Sequence, residues 1–235
     1  MVITGERTVP GIWHENYWFR RHEVVYLRLV GLIDGKDVLE AGCGEGYGAH
    51  LLAANAKSLH ALDYDDYATG HVRAAYPHVP VVRANLVQLP YADSSFDVVV
   101  SLQTIEHLWD QESFVAECLR VVRTGGTIVI STPNTLTFPP GNIYHPKELT
   151  PDGLRALVAP HAAIESYVGL VHGRALTAWE SVNGAIIDTQ IARPYDEWGI
   201  ELADKVGSVT IEDFVFTAAA LDVSLDLIIV AVRES

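Results

Sequence analysis

The sequence has little positive charge and no apolar run long enough to cross a membrane. Its 16 basic residues face 30 acidic ones, which gives a formal net charge of −14. Because nucleic acids and anionic membranes are bound mainly through their phosphates, we expect neither as a partner. The longest apolar runs, such as 227–232, have the length of a strand. The first ten residues lack the apolar region of a secretory signal, so we expect a cytoplasmic location.

Sulfur is also scarce, because the chain has only two cysteines, Cys43 and Cys118. This number argues against a disulfide framework and fits a reducing compartment. Cys43 lies in a glycine-rich turn, where it could be a nucleophile or a small residue that fills a tight loop. No obvious histidine partner lies near it in the sequence, which favours the second interpretation.

Repeats and low-complexity segments are absent, and 235 residues fit a single domain at 1–235. Within it we expect an N-terminal arm or lid at 1–30 and a helical insertion at about 173–216. The insertion is predicted either to cover the site or to form the contact of a homodimer.

Apolar segments that resemble strands alternate with helical segments from residue 37 onward. The predicted strands are 37–41, 58–63, 79–84, 96–102, 127–132, 163–170 and 224–233. Runs of mostly Val, Ile and Leu between helices are typical of parallel strands buried on both faces. The sequence therefore predicts an α/β fold with a Rossmann-like, doubly wound sheet of about seven strands, mostly parallel with an antiparallel last strand.

The turn after the first strand carries glycine at every second position from Gly42 to Gly48. Such a turn before a helix lets backbone approach a ligand closely. The dinucleotide fingerprint would need glycine at position 47, where Tyr47 stands, and no Gly-Lys-Ser/Thr triplet marks a phosphate loop. A phosphate cradle is therefore not favoured.

Polar side chains at the ends of the first three strands suggest a different ligand. Asp63 ends the second strand, where a carboxylate can accept both hydroxyls of a ribose, and Asn85-Leu86 follows the third strand, where it can hold a purine. Glu40 can face an ammonium group across the glycine turn. A ribose, a purine and an ammonium without a phosphate describe S-adenosylmethionine.

These residues resemble the motifs of class I S-adenosylmethionine-dependent methyltransferases. The matching segments are Glu40–Gly46, Asp63, Asn85-Leu86 and Phe96–Val100. The resemblance implies that S-adenosyl-L-methionine is the cofactor and S-adenosyl-L-homocysteine the product. It assigns cofactor binding to Glu40, Gly42, Gly44, Asp63, Asn85 and Leu86, to which we add Gln103 and, from the aromatic and basic lid segment 17–22, Trp18 and Arg21.

A second group of functional side chains follows the fourth and fifth strands. Gln103, Glu106 and His107 are spaced i, i+3 and i+4, which would place them on one face of a helical turn, and His145 follows the fifth strand. These four residues form a set of oxygen and nitrogen ligands for a divalent cation such as Mg²⁺. We expect His107 or His145 to act as base or ligand and Glu106 to orient or ligate.

This spacing resembles the Glu-x-x-Glu-His motif of metal-dependent O-methyltransferases, with Gln103 in place of the first glutamate and one charge fewer. Over the whole chain, the sequence is similar to mycobacterial sugar O-methyltransferases of polymethylated polysaccharide synthesis. The segments that carry this similarity are 4–10, 15–26, 40–48 and 105–110. The similarity implies methyl transfer to a hydroxyl of an oligosaccharide, such as the reducing-end 1-hydroxyl of a methylated mannoside. Two alternatives are an O-methyltransferase for a quinone or phenol and a non-catalytic module that binds S-adenosylmethionine.

Overall fold

The structure is a computed structural model that describes residues 8–139 and 141–234, so the first seven residues of the predicted arm lie outside it. Its centre is a sheet of eight strands. They are β1 (Asp37–Ala41), β2 (Ser58–Asp63), β3 (Val81–Arg83), β4 (Phe96–Leu102), β5 (Val122–Pro133), β6 (Ala163–His172), β7 (Phe214–Thr217) and β8 (Asp226–Val232). Their order across the sheet is β3-β2-β1-β4-β5-β8-β6-β7.

The first five strands run parallel, as predicted. The last strand, β8, lies between β5 and β6 and is antiparallel to both. The prediction of about seven strands was one too few, because β7 pairs with the end of β6 inside the segment assigned to a helical insertion. A strand of four residues at the edge of a sheet is too short to show an alternating pattern in the sequence.

Eight α-helices flank the sheet in the described part of the chain. They are α1 (Asn16–Ile33), α2 (Tyr47–Ala53), α3 (Asp66–Ala75), α4 (Gln111–Val121), α5 (Pro151–Val158), α6 (Arg174–Asn183), α7 (Ile186–Ile191) and α8 (Ile200–Ser208). Helix α5 is capped at its start, since the Thr150 hydroxyl accepts from the Gly153 amide and Pro151 holds the first position. In this part of the chain, every helix is too short or too polar to cross a bilayer.

Both faces of the sheet are covered by apolar layers. On one face, Val38 and Val98 pack in a cluster with residues of α1 and α2. On the other, Leu39 and Val99 pack with α4 and α5. Because alternate residues of β1 and β4 face opposite layers, nearly every position of these strands is buried, which explains their mostly apolar sequence.

The carboxyl ends of the parallel strands meet at one edge of the sheet, and the loops that follow them form the candidate site. The start of α1 crosses this edge, since Asn16 donates to the carbonyl oxygens of Val206 (2.9 Å) and Val209 (2.8 Å). These bonds hold the N-terminal helix and the helical insertion together beside the strand ends.

Candidate active site

The glycine turn after β1 depends on backbone conformations that other residues adopt rarely. Gly42, Gly44 and Gly46 have φ of +88°, +50° and +82°. A Cβ on Gly42 would lie 2.3 Å from a side-chain atom of Thr104, whereas a Cβ on Gly44 would meet nothing within 4 Å. The turn is therefore packed against the loop after β4 at Gly42 and faces open space at Gly44.

Asp63, at the end of β2, holds this turn in place. Its carboxylate accepts hydrogen bonds from the amides of Gly44 (2.8 Å) and Asp65 (2.9 Å). Beyond β3, Asn85 is exposed, and its side-chain oxygen accepts from the Val87 amide at 3.1 Å. Leu86 is buried in the same apolar cluster as residues of β1 and β2. The structure therefore places the predicted ribose and purine contacts at the same edge of the sheet as the glycine turn.

Glu40 is a fully buried carboxylate beneath the turn. The hydroxyl of Tyr26 donates to its Oε1 at 2.6 Å. Within the described ranges its Oε2 has no hydrogen-bond partner. Burial raises the pKa of Glu40 to about 8. A buried carboxylate with an unsatisfied oxygen fits a cationic ligand, because an ammonium would supply both the missing donor and the opposite charge.

Arg21 joins α1 to β8. Its guanidinium donates to both carboxylate oxygens of Asp226, at 2.6 and 2.7 Å, and both side chains are buried. It also lies 5.5 Å from the ring centre of Trp18. Asp226 was not predicted as a site residue, because it is 205 residues away from Arg21 and carries no local signal.

Gln103 does not lie on a helical face with Glu106 and His107, so that part of the prediction was wrong. The helical turn after β4 is a 3₁₀ turn of only three residues, Ile105–His107, and Gln103 precedes it with φ of +51°. Its side-chain amide donates to Asp226 (3.2 Å) and to the Ser131 hydroxyl (3.3 Å). These contacts keep Gln103 outside the turn, and its assignments to cofactor and metal remain predictions.

Glu106, His107 and His145 nevertheless come together. Each has a ligand atom within 4.8 Å of the others. Glu106 is buried, which raises its pKa to about 8, and its Oε2 lacks a hydrogen-bond partner in the described part of the chain. The cluster therefore combines a desolvated carboxylate with two imidazoles from separate loops.

Each of the two histidines has a contact of its Nδ1 outside the cluster, and this contact sets its tautomer. Nδ1 of His107 donates to the Tyr144 carbonyl oxygen (3.0 Å), and Nδ1 of His145 lies 2.9 Å from a carboxylate oxygen of Glu148. When Nδ1 donates in this way, the lone pair of a neutral imidazole is on Nε2. Such backing by a carbonyl or carboxylate is the usual arrangement for histidines that bind a metal or accept a proton.

A cleft of about 820 Å³ opens above this cluster. Trp18, Arg21, Gln103, Glu106, His107 and His145 all line it, together with residues of the loop after β5 and of the insertion. Two aromatic side chains near the cleft differ in their position. Phe138 lines the cleft, whereas Trp109 is 80% exposed.

The insertion contributes residues to the cleft wall that the sequence did not identify. Gln190, Tyr195 and Trp198 all line it, and none of them was predicted as a site residue. The irregular helices of this segment carry no motif, so the single available signal was the presence of aromatic residues in an otherwise unassigned stretch.

Comparison with known proteins identifies the domain. Residues 39–130 match the family model described as a methyltransferase domain. A protein of Mycobacterium tuberculosis named as a probable S-adenosylmethionine-dependent methyltransferase is 49% identical, covering 99% of this chain and 90% of that protein. A relative of the same description from Mycolicibacterium smegmatis is 48% identical over 99% of this chain and 95% of its own length. A ubiquinone biosynthesis O-methyltransferase of Rhizobium etli is 31% identical over 43% of each chain.

Solved structures agree on the fold. An S-adenosylmethionine-dependent methyltransferase from Mesorhizobium loti has a TM-score of 0.60 at 18% identity, covering 91% of this chain and 98% of that one. A possible histamine N-methyltransferase from Thermotoga maritima has a TM-score of 0.62 at 17% identity, with coverage of 92% and 93%. The glycine turn, the strand order and the two mycobacterial relatives together show that this chain belongs to the class I S-adenosylmethionine-dependent methyltransferases.

Proposed function

We propose that the protein transfers the methyl group of S-adenosylmethionine to a hydroxyl of a carbohydrate acceptor. The observation that carries the proposal is the cluster of Glu106, His107 and His145 beneath the cleft. A sulfonium is already an activated electrophile, so the protein must chiefly align the acceptor and remove a proton from a hydroxyl that is a weak acid.

The cluster fits a divalent cation. One carboxylate and two imidazoles suit a cation of this kind with positions left for the acceptor. The unsatisfied Oε2 of Glu106 is the oxygen such a site would use, because a buried carboxylate without a donor is costly unless a cation compensates it. When bound, the cation would lower the pKa of an acceptor hydroxyl. The Nε2 lone pair of His145, whose Nδ1 is backed by Glu148, would serve one of two roles: it would ligate the cation or accept the proton of the hydroxyl.

On the side of the methyl donor, side chains and backbone of the protein would orient S-adenosylmethionine. Glu40 would face the ammonium of the cofactor, and Gly44 leaves space for it above the turn. Asp63 holds the turn from below while remaining partly exposed for a ribose. The methyl group would then point from the glycine turn towards Glu106, because the loops after β1 and β4 are neighbours.

Three features favour a carbohydrate as the acceptor. Aromatic rings and polar side chains alternate around the cleft, which suits a ring with apolar faces and hydroxyl edges. The net charge of −14 opposes an RNA acceptor. The sequence similarity to mycobacterial sugar O-methyltransferases favours the 1-hydroxyl of a methylated mannoside, which is the most acidic hydroxyl of such a sugar.

A second candidate is O-methylation of a small phenol or quinone. It is favoured by the partial similarity to ubiquinone biosynthesis O-methyltransferases. A phenol is acidic enough to need little help from a cation, so the two candidates differ in their response to a chelator. A non-catalytic module would have no use for the buried Glu106 and its two histidines.

The test is an acceptor screen with isotopically labelled S-adenosylmethionine. We expect transfer to short mannosides or glucosides, little to phenols and none to RNA, and loss of transfer in EDTA with recovery on added Mg²⁺ or Mn²⁺. Full activity in EDTA would contradict the role of a cation. Transfer to phenols alone would overturn the carbohydrate acceptor.

A further inference from the structure

Gln190 is a buried amide with an unsatisfied oxygen at the cleft wall. It is 4% exposed and lies in α7 of the insertion. Its nitrogen donates to the Ile186 carbonyl oxygen at 3.2 Å, whereas its Oε1 has no hydrogen-bond partner among the residues described. Buried side-chain oxygens without a donor are uncommon and costly, so one that lines a cleft indicates a missing ligand group.

Aromatic rings surround this position. Tyr195 stacks face to face on His14, with ring centres 3.8 Å apart and planes 2° from parallel. Trp198 donates from its indole nitrogen to the carbonyl oxygens of Gln190 (3.3 Å) and Arg193 (3.1 Å). The edge of Trp198 also meets Trp13 with ring centres 6.0 Å apart. These contacts fix the rings against one another before any ligand arrives, which reduces the entropy cost of binding.

We propose that Gln190, Tyr195 and Trp198 form a second acceptor subsite that binds a sugar ring adjacent to the ring being methylated. The inference rests on the proposed carbohydrate acceptor and adds that the acceptor has at least two rings. A pyranose offers a hydroxyl donor for Gln190 Oε1 and an apolar face for an aromatic ring. A phenol or a monosaccharide bound at Glu106 has no second ring that could contact this wall of the cleft.

The chain provides a matched control for this subsite. Thr189, one residue earlier in α7, donates from its hydroxyl to the same Ile186 carbonyl oxygen at 2.9 Å but does not line the cleft. Gln190→Leu removes the unsatisfied oxygen without removing much volume, so the fold is expected to tolerate it. Thr189→Val removes a hydrogen bond to the same carbonyl and should leave acceptor binding unchanged.

The experiment measures kcat/KM on a monosaccharide and on the matching disaccharide and tetrasaccharide for the wild type and both variants. Gln190→Leu should lower the value for the longer acceptors by roughly three- to ten-fold, the usual range for one neutral hydrogen bond, and leave the monosaccharide value unchanged. Tyr195→Ala should act in the same direction. Thr189→Val should match the wild type on every acceptor. An equal loss on all three acceptors, or no loss on any, would overturn the subsite.

Direct binding separates this inference from the proposed function. Saturation-transfer NMR titrations with the tetrasaccharide should give a Kd that is roughly three- to ten-fold higher for Gln190→Leu than for the wild type, whether or not the methyl group is transferred. If the wild type binds the tetrasaccharide in this way but methylates no carbohydrate, the proposed function fails and the subsite stands. If the wild type methylates a sugar and Gln190→Leu binds the tetrasaccharide as well as the wild type does, the subsite fails alone.

Discussion

The two sides of the candidate active site, the proposed cofactor side and the proposed acceptor side, are built in different ways. On the proposed cofactor side, the backbone forms most of the surface. Its glycines have positive φ, and the Asp63 carboxylate accepts a hydrogen bond from the Gly44 amide of the turn. On the acceptor side, side chains from four distant segments meet: the start of α1, the loop after β4, the loop after β5 and the insertion. The first side is local in sequence, and the second depends on the whole fold. Substitutions should therefore affect cofactor binding and acceptor chemistry separately.

The largest effect should come from the acceptor side. His145→Ala removes the proposed base or ligand, and general acid–base groups contribute about 10²- to 10⁴-fold to rate. We expect kcat to fall in that range while the Kd for S-adenosylmethionine stays close to that of the wild type. Single-turnover kinetics and calorimetry measure the two quantities. His161→Ala, at an exposed position after α5, is the control. A matching loss of cofactor affinity in His145→Ala would show that the two sides are not separate.

The sequence predicted the strands that lead to the proposed cofactor side far better than the arrangement of side chains on the proposed acceptor side. The bounds of β1, β2 and β4 coincide with their predicted ranges, because burial on both faces gives each an apolar run that ends at a polar or turn residue. The contribution of Gln190 and Tyr195 could not be predicted, since nothing in the insertion specifies how it folds over the cleft. The left-handed backbone of Gln103 was equally unpredictable, because glycine is the usual signal for it.

The next largest effect concerns the buried ion pair between Arg21 of α1 and Asp226 of β8. Asp226→Asn would leave Arg21 charged and buried without its partner, which typically costs about 3–5 kcal/mol. Urea denaturation of the apo protein measures this change. Asp93→Asn, which breaks an ion pair of Arg120 in which the aspartate is 76% exposed, should change the free energy of unfolding little. Equal stability of both variants would mean that the pair of Arg21 and Asp226 contributes little to holding α1 against the sheet.

A smaller effect should distinguish ligand contact from backbone strain at the glycine turn. Gly44→Ala and Gly35→Ala both place a Cβ in open space at positive φ, +50° and +67°. Each should cost about 1–2 kcal/mol of stability. Only Gly44→Ala should weaken S-adenosylmethionine binding, by about ten-fold (about 1.4 kcal/mol), because its Cβ would occupy space above the turn that the ligand needs. Thermal unfolding and equilibrium binding test the two halves of this prediction. Equal cofactor affinity in both variants would contradict the placement of the ligand.

The smallest effect is the pH dependence that Glu40 imposes. Its pKa of about 8 in the folded protein lies above the ordinary value of 4.5, so this group favours folding at low pH and loses that contribution as pH rises from 4.5 to about 8. The slope for one group is at most about 1.4 kcal/mol per pH unit. An ammonium needs the ionised carboxylate, so cofactor affinity should rise several-fold between pH 6 and 7, below the range in which an α-amino group loses its own proton. Glu40→Gln should lower the affinity for S-adenosylmethionine and flatten the pH profiles of both affinity and stability. Calorimetry measures the first profile, and thermal melts measure the second. An unchanged pH profile of affinity would rule out Glu40 as the ammonium partner.

The position of β8 has a consequence for the order in which parts of the protein can fold during synthesis. Strands β1 to β5 can pair as soon as they leave the ribosome, and the glycine turn could form with them. Strand β8 follows the other described strands in the chain, yet it lies between β5 and β6 and carries the Asp226 that accepts hydrogen bonds from both Arg21 and Gln103. Until it docks, Arg21 of α1 and Gln103 of the loop after β4 lack this partner. A nascent chain could thus form its glycine turn early, whereas the cleft above Glu106 must wait until β8 has been translated.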